Sequence, residues 1–171
     1  MKKMRFKKSL IPVGKEWAIV DAADFESVNQ YKWMIHSKGY AYRFEKDADG
    51  INRMILMHRQ IMQPGKGFVV DHINHNPLDN TRANLRVCTQ GQNMKNQQKI
   101  TRKDGNPTSS QYKGVYKWQY KNTIKFKATI RNNGIQEHLK YHNTEIAAAK
   151  AYDKRAKELF GEYANLNFPD E

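Results

Sequence analysis

The sequence predicts an α+β protein made of two parts and a linker. Up to residue 97, short runs of branched and aromatic residues alternate with turn formers, a pattern typical of a β-rich module. From residue 111, three strand-like runs precede one long helix pattern, which predicts a three-stranded antiparallel sheet packed on one helix. Residues 98–110 lie in QQKITRKDGNPTSSQ, which has almost no large apolar residue, and are assigned as the linker.

The first part, residues 1–97, is predicted to hold short strands and three short helices. In chain order they begin with a strand EWAIVD (16–21), a helix ADFESVNQY (23–31), strands WMIHS and YAYRF around a Lys38-Gly39 turn, a strand NRMILMH (52–58) after a DADG turn, and a helix MHRQIMQ (57–63) ended by Pro64-Gly65. A strand FVVDH (68–72), a polar loop over 73–84, a strand LRVCT (85–89) and a helix QGQNMKNQ (90–97) follow. Thr89 is the predicted N-cap of that last helix.

The second part, residues 111–171, has the clearest element signals. Its three predicted strands are YKGVYKW (112–118), FKATIR (126–131) and QEHLKYH (136–142), joined by QYKNTIK and NNG turns. The segment NTEIAAAKAYDKRAKELFG (143–161) predicts a helix, because it has an Asn143 or Thr144 cap, an alanine-rich run and Gly161 as its stop.

Composition limits the possible functions. Thirty Lys and Arg against 17 Asp and Glu give a net charge of +13 and a pI near 9.8, which indicates a polyanionic partner, nucleic acid first and an anionic membrane second. No apolar run approaches the roughly 20 residues of a membrane span. The basic amino terminus lacks the apolar stretch of a secretion signal. The single Cys88 excludes a disulfide framework and a cysteine zinc site, so we expect a cytoplasmic protein.

The stretch VVDHINHNPLDN (69–80) concentrates polar chemistry at the end of a predicted strand. The Asp71 carboxylate and the amide of Asn93, on the following helix, are oxygen donors that suit a hard cation such as Mg²⁺. The adjacent His72 imidazole could deprotonate a water, and phosphodiester cleavage needs such a base together with a cation. An Asx-rich loop is also typical of a simple turn, so spacing alone leaves both interpretations open. Calcium-loop and zinc-ligand spacings are absent.

The segment MHRQIMQPGKGFVVDHINHNPLDNTRANLRVCTQGQNMKNQ (57–97) resembles the HNH endonuclease family, especially its phage and homing members. The matching parts are His58-Arg59, VVDHIN, DNTRANLR and TQGQN, in order over about forty residues. The resemblance implies a ββα-metal fold, one divalent cation, and nicking or cutting of DNA.

Four positions match the family's functional residues. The resemblance implies His72 as the general base, Asp71 as a metal ligand and Asn93 as the second ligand, borne on the helix. Asn84 matches the middle Asn, whose side chain ties the loop to backbone groups and holds the imidazole in place. Because this Asp-His…Asn variant lacks the His ligands of other members, we expect Mg²⁺, with Mn²⁺ possible, rather than Zn²⁺.

Three further residues near this motif have less specific interpretations. His75 lies three residues into the loop, where the family tolerates many residues, and is interpreted as a bystander. Arg86 either contacts DNA phosphate or is a solvated strand residue. His58 is interpreted as a packing or hydrogen-bonding residue of its helix, not as a catalytic one.

The second part carries a basic, alternating pattern. In KFKATIR, Phe126, Ala128 and Ile130 alternate with cationic and polar residues that include Lys127, so one face packs and the other is basic. Residues 112–142 hold seven Lys and Arg against one acid, Glu137. Such a sheet can enter the DNA major groove, although a merely solvated face gives the same pattern.

Residues 112–169 also resemble the Apetala-two or ERF-type DNA-binding domain of plant transcription factors and phage endonucleases. The matching elements are YKGV, FKATIR and EIAAAKAYDKRAKELFGEYANLNFP, with its AAxAYD core and LNFP ending. The positions that match the family's DNA contacts are Lys113, Gly114, Tyr116, Trp118, Thr129, Arg131, His138, Tyr141 and Tyr152. The plant pattern has several Arg where this chain has other residues, so the plant target sequence does not transfer. Tyr152 could equally be a core aromatic.

Together these patterns predict a site-directed, homing-type DNA endonuclease. The first part cuts double-stranded DNA, and the second part positions the first on its target. We expect a monomer in the cytoplasm of a bacterium or of a phage-infected host cell, with no membrane partner. The alternative is a sequence-specific DNA-binding regulator whose nuclease module is inactive. An RNA-binding protein is less consistent, since the A-form major groove is deep and narrow.

Overall fold

The computed structural model describes residues 7–99 and 109–170. The start of the basic amino-terminal segment (1–6) and most of the predicted linker (100–108) lie outside the described residues. The chain divides into two units, Met1–Asn93 and Met94–Glu171. No helix in the described ranges is long and apolar enough to cross a membrane.

The first unit begins with an antiparallel hairpin and a helix. Strand β1 (Lys8–Val13) pairs with β2 (Glu16–Asp21), and helix α1 (Ala22–Asn29) follows directly. β2 and α1 were predicted, but β1 was not, because its basic neighbours hide the alternation of its apolar residues. Ile11 and Val13 are nevertheless buried in the core.

A second small sheet of the first unit leads into helix α2 (Met57–Met62). Its antiparallel strands are β3 (Met34–Ile35), β4 (Ala41–Lys46) and β5 (Asn52–Leu56), in that order across the sheet. Helix α2 ends as predicted, at a Gln63 with left-handed backbone conformation before Pro64. The core of the unit collects buried side chains from nearly all these elements: Ile11, Val13, Ala18, Val20, Val28, Trp33, Ala41, Met57, Ile61, Val70 and Leu85.

The candidate site lies on the last hairpin and helix of this unit. Strand β6 (Phe68–His72) pairs antiparallel with β7 (Leu85–Thr89), and helix α3 starts at the next residue (Gln90–Lys95). The predicted cap is present as a reciprocal pair. The Gln92 N–H donates to Thr89 Oγ1 at 3.2 Å, and the Thr89 N–H donates to Gln92 Oε1 at 2.8 Å. This pair fixes where α3 begins, and therefore where Asn93 lies along it.

The second unit is a sheet with one long helix on it. Strands β8 (Val115–Tyr120), β9 (Thr123–Asn132) and β10 (Ile135–His142) are antiparallel with β9 in the centre, and α4 (Glu145–Phe160) precedes a 3-10 turn (Gly161–Tyr163). Thr144 caps α4 by accepting from the Ala147 N–H. The core between sheet and helix contains Val115, Ala128, Ile130, Ala148, Ala149, Tyr152 and Ala156.

Strand β10 contains an irregularity that changes which side chains share a face. Its register against β9 shifts between His138 and Tyr141, and Lys140 has a positive φ of 69°. A bulge of this kind adds a residue to one strand and breaks the simple alternation. His138 pairs with Thr129 before the bulge and Tyr141 pairs with Lys127 after it, so both side chains lie on the face opposite α4.

Candidate functional site

Asp71 lies at the end of β6 and is paired with Arg86 on β7. The two are direct cross-strand partners. Arg86 Nε and Nη2 both donate to Asp71 Oδ2, at 2.9 Å and 2.7 Å, and the two side chains are 11% and 8% exposed. Arg86 is therefore not a solvated strand residue. In this structure its guanidinium forms an ion pair with the carboxylate that is predicted to hold a metal.

The Cys88 thiol is the neighbour that Asp71 and Asn93 have in common. Cys88 follows Arg86 on the same face of β7, where its side chain is buried. Burial raises the pKa of this thiol, the Asp71 charge raises it further, and the Asn93 backbone N–H opposes the rise by donating toward the sulfur. The charge of Asp71 on β6 and the backbone of Asn93 on α3 thus both act on the same thiol.

His72, the last residue of β6, is buried among other side chains. Burial lowers the pKa of its imidazole, while the Asn80 amide and the charges of Asp71 and Asp79 oppose that shift. The Asn80 side chain is itself buried and makes no hydrogen bond of good geometry within the described residues. The net effect favours a neutral imidazole at pH 7, the form that can accept a proton.

Two rings from other elements pack on the His72 imidazole. The ring centroids of His58 and His72 are 5.1 Å apart with nearly perpendicular planes, and Tyr40 lies 5.6 Å from His72 and 5.2 Å from His58. Burial, with smaller contributions from His72 and Arg59, lowers the pKa of His58 to about 3. His58 is therefore a neutral packing residue, as the sequence analysis expected, but its packing partner is the candidate base.

The Asn84 side chain joins the end of the polar loop to backbone groups of two earlier loop residues. Its Oδ1 accepts from the Asn74 N–H at 2.9 Å, and its Nδ2 donates to the Asp79 carbonyl at 2.7 Å. The Asn84 carbonyl also accepts from the Ile73 N–H, which extends the β6–β7 ladder by one bond. Asn84 thus joins the loop to backbone groups, while its predicted role in holding the imidazole stays a prediction. His75 occupies a turn position with a positive φ of 62°.

Arg82 anchors the same loop to helix α1. Its guanidinium donates to both carboxylate oxygens of Asp24, at 2.8 Å and 2.7 Å, and its backbone N–H donates to Asp21. A bidentate pair of this type sets an orientation as well as an attraction. The loop that bears Asn80 and Asn84 is thus held in place from outside the hairpin.

The donor set fits a hard cation. Within 7–99 and 109–170, no group of three or more His, Cys, Asp or Glu side chains is arranged to hold a metal ion. The predicted donors are one carboxylate, Asp71, and one amide, Asn93, a set that suits an ion such as Mg²⁺ that keeps most of its waters.

The predicted DNA-contact residues of the second unit fall into two groups. Six lie on the sheet face opposite α4, and these are Tyr116, Trp118, Lys127, Arg131, His138 and Tyr141. Trp118 is central to an aromatic cluster, with its ring centroid 5.2 Å from Tyr141 and 6.0 Å from Tyr120. Lys125 pairs with Trp118 across the strands and adds a cation to this face.

The other predicted contacts support the sheet from within. The Lys113 ammonium donates to the carbonyls of Lys95 and Gln97, and its burial lowers its pKa to about 8. Thr129 is buried, and its N–H donates to the Gly114 carbonyl at 2.8 Å. A Cβ on Gly114 would lie 2.1 Å from the ring of Tyr152, which is buried in the core. The Lys113 ammonium is therefore bound within the unit, and Gly114 is packed against the core. Thr129 is buried, although it lies on the same face as its strand partner His138.

Four residues of the site are not identified as members of it by local sequence patterns: Tyr40, His58, Asn80 and Arg82. The resemblance to the HNH family did contain a signal for three of them, because His58 and the segment DNTRANLR, which includes Asn80 and Arg82, are among its matching parts. Tyr40 had none, because it belongs to a different hairpin and reaches His72 only through the tertiary fold.

Comparison with known proteins identifies the family of the chain. The family description "HNH endonuclease" matches residues 63–95, which include β6, the polar loop, β7 and α3. The chain is also 36% identical over 154 residues to an uncharacterized HNH endonuclease, L560, of Acanthamoeba polyphaga mimivirus, covering 88% of this chain and 74% of that protein. The chain therefore belongs to the HNH endonuclease family, which indicates a nuclease, and HNH nucleases generally use a divalent metal. No solved structure matches the chain.

Proposed function

We propose that the protein is a site-directed, homing-type DNA endonuclease that hydrolyses a phosphodiester bond with His72 as general base. The observation that carries the proposal is the burial of this imidazole, which favours its neutral form, at the end of the strand that also bears Asp71. A neutral imidazole can take a proton from the attacking water, and Asn84 keeps the loop beside it closed.

Asp71 and Asn93 would hold one divalent cation, Mg²⁺ or Mn²⁺. When bound, such an ion supplies positive charge against the scissile phosphate and the leaving 3′-oxygen. Hydrolysis by this route leaves 5′-phosphate and 3′-hydroxyl ends.

The alternation of side chains along β6 limits where DNA can lie. Asp71 and His72 are adjacent and therefore point to opposite sides of the strand. Asp71 faces Arg86 and Cys88, whereas His72 faces Asn80 and His58. Both are accessible to one phosphate only across the end of the strand, so we place the scissile phosphate there.

The exposed face of the second unit would position the duplex. Tyr116, Trp118 and Lys127 lie on the side of the sheet away from α4, together with Arg131, His138 and Tyr141. Cationic and aromatic side chains on a three-stranded sheet suit the major groove of B-form DNA. One nuclease site in a monomer would nick one strand, and cutting both strands would need a second event or a second copy.

Supercoiled plasmid incubated with the protein and Mg²⁺ tests this function directly. We expect nicked circles that EDTA abolishes, and a His72→Ala variant that is on the order of 10²-fold slower or worse at unchanged DNA affinity. His75→Ala is the matched control, because it removes an imidazole three residues further on, at a turn of the adjoining loop. DNA binding without cleavage by the unmodified protein would instead indicate a regulator with an inactive nuclease module.

A further inference from the structure

We propose that Arg86 couples metal binding to DNA binding, by holding the Asp71 carboxylate until a DNA phosphate becomes its alternative partner. This inference rests on the proposed function, since it takes Asp71 as a ligand of the divalent cation. It assigns to Arg86 a role in loading the site, beyond a static phosphate contact.

The contact between the two residues is close and largely shielded from water. Both donated hydrogen bonds, of 2.9 Å and 2.7 Å, end on the same oxygen, Asp71 Oδ2. Cross-strand pairing near the loop end of the β6–β7 hairpin holds the two backbones in this register. A buried carboxylate needs a compensating charge, and in this structure Arg86 supplies one.

A cation bound by the same carboxylate would meet the guanidinium at short range. Two positive charges on one buried anion repel each other strongly, because little water separates them. Arg86 should therefore weaken metal binding to the protein alone. A DNA phosphate beside the ion would change this balance, since its two non-bridging oxygens offer the planar guanidinium a bidentate anionic partner.

Coupling of this kind is reciprocal. If DNA strengthens metal binding by some factor, the metal strengthens DNA binding by the same factor. The protein without DNA would then stay poorly loaded at metal concentrations that fully load the complex with DNA. Because the site fills mainly on its substrate, Arg86 would regulate the nuclease as well as support its fold.

Calorimetric titration of Mn²⁺ tests the coupling without relying on cleavage. The titrations use a His72→Ala background, with and without a short DNA duplex, so that the DNA stays intact. We expect the duplex to tighten Mn²⁺ binding by about tenfold or more, within the usual range of coupling factors. In the Arg86→Gln variant, Mn²⁺ should bind about tenfold more tightly without DNA, and the duplex should add little. Equal Mn²⁺ affinities for the two proteins without DNA would overturn the proposal.

Arg53→Gln is the matched control. Arg53 also pairs with a carboxylate of the first unit, Asp47, at 2.7 Å, but on an exposed turn. This variant should show the same Mn²⁺ affinity and the same effect of DNA as the His72→Ala background alone. A change as large as that of Arg86→Gln would mean that loss of any cation suffices, which also contradicts the proposal.

Arg86→Gln leaves a buried carboxylate without its cation, so its thermal unfolding gives a second measurement. We expect it to melt below the parent protein in EDTA and to gain more than the parent from Mn²⁺, because the ion replaces the missing charge. If this variant fails to fold, Arg86→Lys decides the question, since it keeps the positive charge beside Asp71 but lacks the bidentate fork. Without DNA it should bind Mn²⁺ as weakly as the parent, and clearly tighter binding there refutes the charge account.

The two proposals fail differently. Metal-dependent nicking that requires His72, combined with uncoupled metal and DNA binding, would reject only the role of Arg86. Nicking that persists in EDTA would reject the metal-dependent function, and the inference about Arg86 with it.

Discussion

The two regions proposed to act on DNA hold their polar side chains in opposite ways. In the first unit, Asp71, His72 and Asn84 are each less than a tenth exposed and contact other side chains or backbone groups of that unit. In the second unit, Tyr116 and Trp118 are 52% and 39% exposed, on an open face. One region is built around fixed geometry, and the other around access.

This difference matches the demands of the two tasks. A reacting group must be held close to one productive orientation, since small displacements cost large factors in rate. Side chains that contact a groove must be reachable, and each contributes a modest share of the affinity. Residues beneath the second region should therefore matter through the fold, and residues on it through binding.

The largest effect that would sharpen this contrast is expected from Gly114→Ala, beneath the open face. Gly114 has a φ of 74°, and an added Cβ would lie 2.1 Å from the Tyr152 ring and 2.6 Å from the Thr129 carbonyl. Backbone strain and overpacking together should lower the free energy of unfolding by roughly 2–6 kcal/mol. Denaturant unfolding measures this loss.

Gly134→Ala is the matched control for that substitution. Gly134 has a similar φ of 81° but nothing within 4 Å of the added Cβ. Gly134→Ala should lower the free energy of unfolding only by the backbone strain, about 1 kcal/mol. Equal losses of stability for the two variants would show that packing against Tyr152 contributes nothing. They would also contradict the distinction between residues that support the sheet and residues exposed on its open face.

An intermediate effect is expected from His58→Phe, in the buried region. The pKa of His58 is about 3 in the folded protein, below its ordinary 6.5, so the unfolded chain takes up the proton first as the pH falls. This group's contribution is fully present above pH 6.5 and is lost toward pH 3, by about 1.4 kcal/mol per pH unit. Phenylalanine cannot titrate, so the variant should lose less stability on acidification.

The measurement is urea unfolding of both proteins from pH 8 down to pH 4. The difference at pH 8 gives the baseline for the change of ring, and the two stability curves should then separate in favour of the variant at lower pH. Curves that stay parallel would contradict burial as the cause of the lowered pKa. They would also weaken the description of this region as one that excludes water.

The smallest effect is expected from a single cation of the open face. Arg131→Ala should weaken duplex binding by roughly threefold to tenfold, and it should reduce the slope of log K against log salt by about 0.9 if it neutralises one phosphate. Lys154→Ala removes an exposed cation of α4, on the other side of the sheet, and should change neither quantity as much. Fluorescence anisotropy at several salt concentrations measures both. An equal effect of the two substitutions would remove the reason for placing DNA on this face.

Local patterns predicted most of the secondary structure. The strands expected over 16–21, 68–72 and 85–89 are β2, β6 and β7, because branched apolar residues end at clear turn formers there. The alternation in 126–131 also predicted which side of β9 packs on α4, and Ala128 and Ile130 are indeed in the core.

The contacts of the candidate site depend on tertiary structure and could not be predicted. Whether Arg86 lies opposite Asp71 depends on the register that a twelve-residue loop, 73–84, permits, and many registers fit its composition. The packing of Tyr40 on His72 joins residues from separate hairpins. Strand β1 was missed for a different reason, since the lysines in and around it give no sign that Ile11 and Val13 are buried.

The two hydrogen bonds of Lys113 have a practical consequence for exchanging modules between proteins. The low-complexity stretch 97–111 is the obvious place to join this carboxy-terminal part to another nuclease. The Lys113 ammonium, however, depends on the carbonyls of Lys95 and Gln97, and Asn165 donates to the carbonyl of Asn96. A transferable unit should therefore start at Met94, where the second unit begins, and a chimera joined later would lose three of its internal hydrogen bonds.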